Sequence, residues 1–182
     1  MSGISTCFPF IGYIRYSLPY GDESNHKSFA IHKKGEIRLI PLYVLIGAFL
    51  FFQMLGLLGL IYFEDWHTSL QGAVSVMLLV TASAHWGSMR PDLIRMVPRA
   101  LPRKDWIVTI TGVFEILGAV GILFPATSRT SSILLALLLI AMFPANIKAA
   151  KESLTIGGRP VPRLLLRTVL QIVFLSAILL AG

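Results

Sequence analysis

A chain of 182 residues that is 55% hydrophobic and only 14% charged, with a mean hydropathy of +0.74, lies outside the composition of a water-soluble domain of that size. Its net charge of +7 fits anionic lipid headgroups rather than nucleic acid, because the basic residues sit in the connections between apolar runs. A single cysteine, Cys7, excludes an internal disulfide and a C-x-x-C redox pair, so no thiol relay can run within the chain.

Residues 1–38 form an N-terminal tail, cytosolic or interfacial. The stretch from Phe8 to Tyr20 carries Pro9, Gly12, Arg15 and Pro19 and has no continuous apolar core, which argues against a secretory signal. Its aromatics, Phe8, Phe10, Tyr13, Tyr16 and Tyr20, suit a segment at the headgroup level.

Residues 39–182 form a transmembrane helical domain. A hydrocarbon core of about 30 Å needs about 20 apolar residues per helical crossing. Five runs meet that need, at about 39–63, 67–88, 106–124, 131–148 and 164–181. None alternates apolar with polar residues as a barrel strand does. The predicted fold class is therefore all-α, an integral membrane bundle of five transmembrane helices.

Charge supplies the orientation. Five crossings from a cytosolic N-terminus place the tail, the connections near 89–105 and 148–163, and Arg167 on one side. Together they hold fifteen of the sixteen Lys and Arg residues, and only Arg129 lies elsewhere. Basic residues are retained in cytosolic loops, so the N-terminus is predicted inside and the C-terminus outside. A bacterial-type inner (plasma) membrane is the expected location.

Between the first two runs, Glu64-Asp65-Trp66-His67-Thr68 reads as a tight outer turn. The segment from Arg90 to Arg99 has apolar residues at 93, 94, 96 and 97 and basic residues at 90, 95 and 99. One short helix there would set its apolar side at the bilayer boundary and offer Arg90, Arg95 and Arg99 to lipid phosphates. Small residues recur as Leu55-Gly56-Leu57-Leu58-Gly59 and Leu117-Gly118-Ala119-Val120-Gly121, a spacing that lets backbones approach closely.

Glu115 is the one acidic group within a run, and a charge near the bilayer centre costs about 2.5 kcal/mol or more. It must be protonated, paired or turned to an internal cavity. From the helical rise, Glu115 lies roughly 14 Å in from the cytosolic boundary and Gln171 roughly 10 Å in, while His85 and Asn146 lie roughly 24 Å from the outer boundary. Four polar side chains on four helices thus share one half of the membrane. They either bond to one another as interhelical ties or line a pocket in which Glu115 and His85 are the candidate acid/base residues. No metal site is predicted, since His67 and His85 would stand about 27 Å apart on one helix.

From about Ser69 onward the chain resembles the DoxX-like family of small bacterial membrane proteins. The matching pieces are Ala84-His85-Trp86 before Arg90-Pro91-Asp92, Leu101-Pro102, Gly112-Val113-Phe114-Glu115-Ile116-Leu117-Gly118, and Phe143-Pro144-Ala145-Asn146-Ile147. The resemblance implies a four-helix core, here with one extra N-terminal helix, and groups His85, Glu115 and Asn146 in one site. Trp86 stands where Phe is usual. It also implies an association with redox metabolism, since family members include a subunit of a thiosulfate:quinone oxidoreductase.

The expected function is an accessory subunit that binds a quinone or lipid-like molecule through His85, Trp86, Glu115, Asn146 and Gln171. No cofactor is encoded, and a quinone is the one the site could take. Alternatives are a structural or assembly subunit of a larger membrane complex, with a membrane protein partner or a second copy, and an acid/base enzyme acting on a lipophilic substrate.

Overall fold

A computed structural model of the chain describes residues 39–156 and 158–182, so the expectations for the tail lie outside the described residues. Helix α1 (Ile40–Leu57) begins with Pro41, whose missing N–H costs nothing in a first turn. The sequence predicts a run to residue 63, yet the helix stops at Leu57. Gly59 takes a left-handed φ of 96°, its N–H donates to Gly56 O, and the Leu60 N–H donates to Leu55 O at 3.1 Å. That pair of bonds is the Schellman termination, which glycine accommodates without strain. The chain then turns through a short 3-10 helix, Ile61–Phe63. Gly56 lies beneath that turn, where a Cβ would collide with the Phe63 carbonyl.

Asp65 caps α2 (Trp66–Ser83) by accepting from the His67 N–H at 3.4 Å. Next come α3 (Arg90–Met96), α4 (Lys104–Gly121) and α5 (Ser128–Lys151), which contains Pro144. A two-residue antiparallel hairpin, β1 (Thr155–Ile156) with β2 (Arg159–Pro160), leads into α6 (Leu164–Ala181).

Helices α2, α4, α5 and α6 form a ring in which α2 packs on α4, α4 on α5, α5 on α6 and α6 on α2. Helix α1 lies against α2, with the Phe52 ring over Gly72, where an added Cβ would sit 2.8 Å from it. The core joins Val74, Met77 and Leu78 of α2 to Ala119, Leu135 and Ile178 of the other ring helices. Gly118 faces Leu135 across the α4–α5 contact, and Gly121 faces Ser131. The two L-G-x-x-G pieces therefore serve different ends, one a chain reversal and the other a helix contact.

Among the described residues three helices, α1, α5 and α6, are long and apolar enough to cross a membrane. The outer surface suits lipid, with Leu50, Phe51, Met54, Leu134, Leu137 and Leu165 all exposed. Helices α2 and α4 are as long as α1 but more polar, and in α2 the polar residues point inward. Buried Ser75 donates to Ala119 O at 2.7 Å. Buried Gln71 donates to Ser128 Oγ at 3.0 Å and to Ala181 O at 2.9 Å. A helix surrounded by protein can carry such groups, since each finds an acceptor.

These bonds also fix the direction of each helix. The start of α2, the end of α4, the start of α5 and the end of α6 meet at one end of the ring, beside Glu64 and Asp65, so successive ring helices run antiparallel.

Candidate functional site

At the opposite end, α2 gives way at Ser83 to a series of tight turns, with the His85 N–H on Ala82 O and the Trp86 N–H on Ser83 O. These turns lay His85 against α4. Gly112 makes the approach feasible, since a Cβ there would come within 2.8 Å of His85 Cβ and Cγ and of the Trp86 ring.

His85 Nδ1 lies 2.6 Å from Val108 O. A carbonyl oxygen only accepts, so the hydrogen-bond network assigns this nitrogen its proton. On the other side of the ring, Nε2 lies 3.5 Å from Glu115 Oε1, and the two side chains are 9% and 7% exposed. The second carboxyl oxygen accepts from Thr81 Oγ1 at 3.2 Å. A single proton held between Nε2 and Oε1 would make the pair net neutral. An imidazolium with a carboxylate and an imidazole with a carboxylic acid are both net neutral. A neutral pair resolves the cost that a single carboxylate would carry inside an apolar bundle.

Arg90 braces this corner. Its guanidinium donates to His85 O at 2.8 Å, to Thr109 Oγ1 at 2.9 Å and to Asp105 O at 3.2 Å. Of the three arginines expected to meet lipid phosphates, Arg90 is thus engaged within the protein, Arg95 pairs with Asp92 of the same short helix, and Arg99 is exposed. The apolar side of α3 also packs inward, with Met96 and Val97 buried. Lys148 caps its end, donating to Arg95 O at 2.6 Å and to Val97 O at 2.8 Å.

Asn146 and Gln171 form a second cluster, between α5 and α6. Asn146 Nδ2 donates to Gln171 Oε1 at 3.1 Å, and Gln171 Nε2 donates to Leu139 O at 2.7 Å. Arg167 Nη1 donates to Asn146 Oδ1 at 2.9 Å. Among the described residues no hydrogen bond joins this cluster to His85 and Glu115. The four polar groups expected at one site therefore divide between two adjacent pairs of ring helices. The helical rise gives the height of a residue but not its bearing around the ring, and the two clusters differ in bearing.

Trp86 is 47% exposed, with its ring centroid 6.1 Å from that of His85, so it covers the histidine toward the outside. A groove of about 470 Å³ opens between α4 and α5, walled by Phe114, Leu117, Leu134 and Leu138. It is apolar and does not reach Glu115. Among the described residues, no three of His, Cys, Asp and Glu come together as a metal site.

Sequence reading overlooked Thr81, Gln71 and Arg90 as structural partners. Gln71 carries a usable signal, being an amide inside an apolar run.

No curated protein and no solved structure matches the chain. A family model does match, over residues 74–181. That span takes in most of α2, the other three ring helices and both polar clusters, but not α1. The chain belongs to the family described as Domain of unknown function (DUF8561).

Proposed function

We propose that the protein is a five-span membrane protein of DoxX-like type that serves as an accessory subunit of a redox system, binding a quinone or similar lipophilic carbonyl compound beside His85 and Glu115. The observation that carries this reading is a buried imidazole–carboxyl pair, His85 Nε2 at 3.5 Å from Glu115 Oε1, beside the half-exposed Trp86. A quinone carbonyl needs a hydrogen-bond donor in an otherwise apolar slot, and a proton held between the two side chains is such a donor in either of its positions. Reduction of a quinone takes up two electrons and two protons. The pair can deliver one proton, the second comes from water at the cytosolic face, and the electrons come from the partner oxidoreductase.

Charge favours a cytosolic placement of the end that bears the pair. Arg90, Arg95, Lys104, Lys148 and Arg167 gather there, against the single cation Arg129 with Glu64 and Asp65 at the other. With that end inside a bacterial-type plasma membrane, α2 and α4 complete five crossings, their polar groups shielded by the ring.

Binding of a ubiquinone or menaquinone analogue to the purified full chain, followed by fluorescence of the tryptophans, tests the proposal. Glu115→Gln, which keeps the shape but fixes the proton on an amide, is expected to weaken binding about tenfold, equivalent to about 1.4 kcal/mol. Equal affinity of the two proteins for every quinone tried, or no binding by either, sinks the reading.

A further inference from the structure

We propose that Arg167 holds the phosphodiester of an anionic membrane lipid at the inner face, between the end of α5 and the start of α6. Two hydrogen bonds account for the attachment of this guanidinium, and both use the same nitrogen: Nη1 donates to Asn146 Oδ1 at 2.9 Å and to Asn146 O at 3.3 Å. Nε and Nη2 make no hydrogen bond or ion pair among the described residues. Neither is buried without a partner, so this edge reaches the accessible surface. The Nε/Nη2 edge is the one that grips two oxygens of a phosphate at once.

The orientation of that edge is fixed from inside the protein. Leu139 O can only accept, so Gln171 must present its Nε2 there at 2.7 Å and turn its Oε1 toward Asn146. Asn146 must then donate through Nδ2 and offer Oδ1 to the guanidinium. An acceptor-only group at one end and a donor-only group at the other leave both carboxamides a single orientation. A four-member chain of this kind holds an arginine rigidly, where one left to snorkel would need none.

Charge balance points the same way. The ion pairs among the described residues are His85–Glu115 and Arg95–Asp92, so no carboxylate neutralises Arg167. Arg163, at the N-cap of α6, adds a second cation, and the first turn of that helix has no side-chain cap on its free N–H groups. Arg167 lies three residues into α6, about 4.5 Å along its axis, one helical turn from the exposed Arg163 and Leu164 on its own side of the helix. A guanidinium at the first turn of an apolar helix, with one edge open and a second arginine one turn away, meets a lipid phosphate before any other anion.

Native mass spectrometry of the full chain in detergent, with phosphatidylglycerol and phosphatidylcholine offered in turn, is the test. One phosphatidylglycerol is expected to be retained, about tenfold more tightly than phosphatidylcholine. Arg167→Met is expected to lose that preference. Asn146→Asp leaves the arginine in place but gives it a fixed carboxylate, and is expected to lose the preference as well, which keeps the test valid should the first variant misfold. Equal retention of both lipids by the unaltered chain, or an undiminished preference in Asn146→Asp, overturns the proposal. So does displacement of the lipid by millimolar inorganic phosphate, which would make this a site for a free anion.

Discussion

Replacing Glu115 with alanine is expected to lower the unfolding free energy by about 3 kcal/mol, read from denaturant titration in mixed micelles. Three effects combine. His85 keeps its Nδ1 proton on Val108 O but is left with an unmatched Nε2 in a site where its side chain is 9% exposed. Thr81 loses its carboxyl acceptor, although Leu78 O at 2.9 Å remains. A cavity opens beside α2. The histidine can give up its proton, so the cost stays below that of stranding a permanent charge. Glu115→Gln separates the terms, because an amide of the same size donates to Nε2 and should cost only about 1 kcal/mol. If glutamine proves as damaging as alanine, the pair is held as imidazolium and carboxylate. If neither variant costs more than about 0.5 kcal/mol, the pair contributes nothing to the fold.

Gly112→Val is expected to cost about 3 kcal/mol of stability, and the proposed quinone binding with it. A Cβ at this position would lie 2.8 Å from His85 Cβ and Cγ and from the Trp86 ring. The histidine is fixed by Val108 O and Glu115 and cannot retreat without losing both. The branched side chain therefore forces α2 and α4 apart at the site itself. Gly47→Ala on α1 is the matched control: nothing lies within 4 Å of the added carbon. Alanine should there be neutral or stabilising by up to about 1 kcal/mol, as in an exposed helix interior. Thermal unfolding of the two variants in one detergent gives the comparison, and a harmless valine at 112 would show that the His85 turn is looser than its contacts imply.

The apolar runs of the sequence locate the five long helices among the described residues, because burial of backbone polar groups in lipid or protein demands continuous helix. They mislead where glycine geometry decides the boundary. The Leu39–Phe63 run is apolar throughout, yet the left-handed Gly59 ends α1 six residues early. At the site, the pairing of His85 with Glu115 follows from two residues of opposite character at one depth on consecutive ring helices. Asn146 and Gln171 share that depth, but α5 and α6 turn them toward each other. Only contacts across the ring carry that information. The basic segment shows the same limit: its charges are visible in the sequence, whereas the inward packing of Met96 and Val97 and the use of Arg90 as a brace depend on α4 and α5 lying above it.

Helix α2 decides the account. It is not among the three helices long and apolar enough to cross a membrane among the described residues, it carries His85 on its exit turn, and the proposed orientation depends on its crossing. Single cysteines at the exposed positions Glu64 and Arg99, in a chain with Cys7 replaced by serine, report on that crossing through a membrane-impermeant maleimide. Labelling of the Glu64→Cys chain in intact cells, with the Arg99→Cys chain reacting only after permeabilisation, is the predicted result. Both positions reacting from the same side, or the reverse pattern, would contradict it.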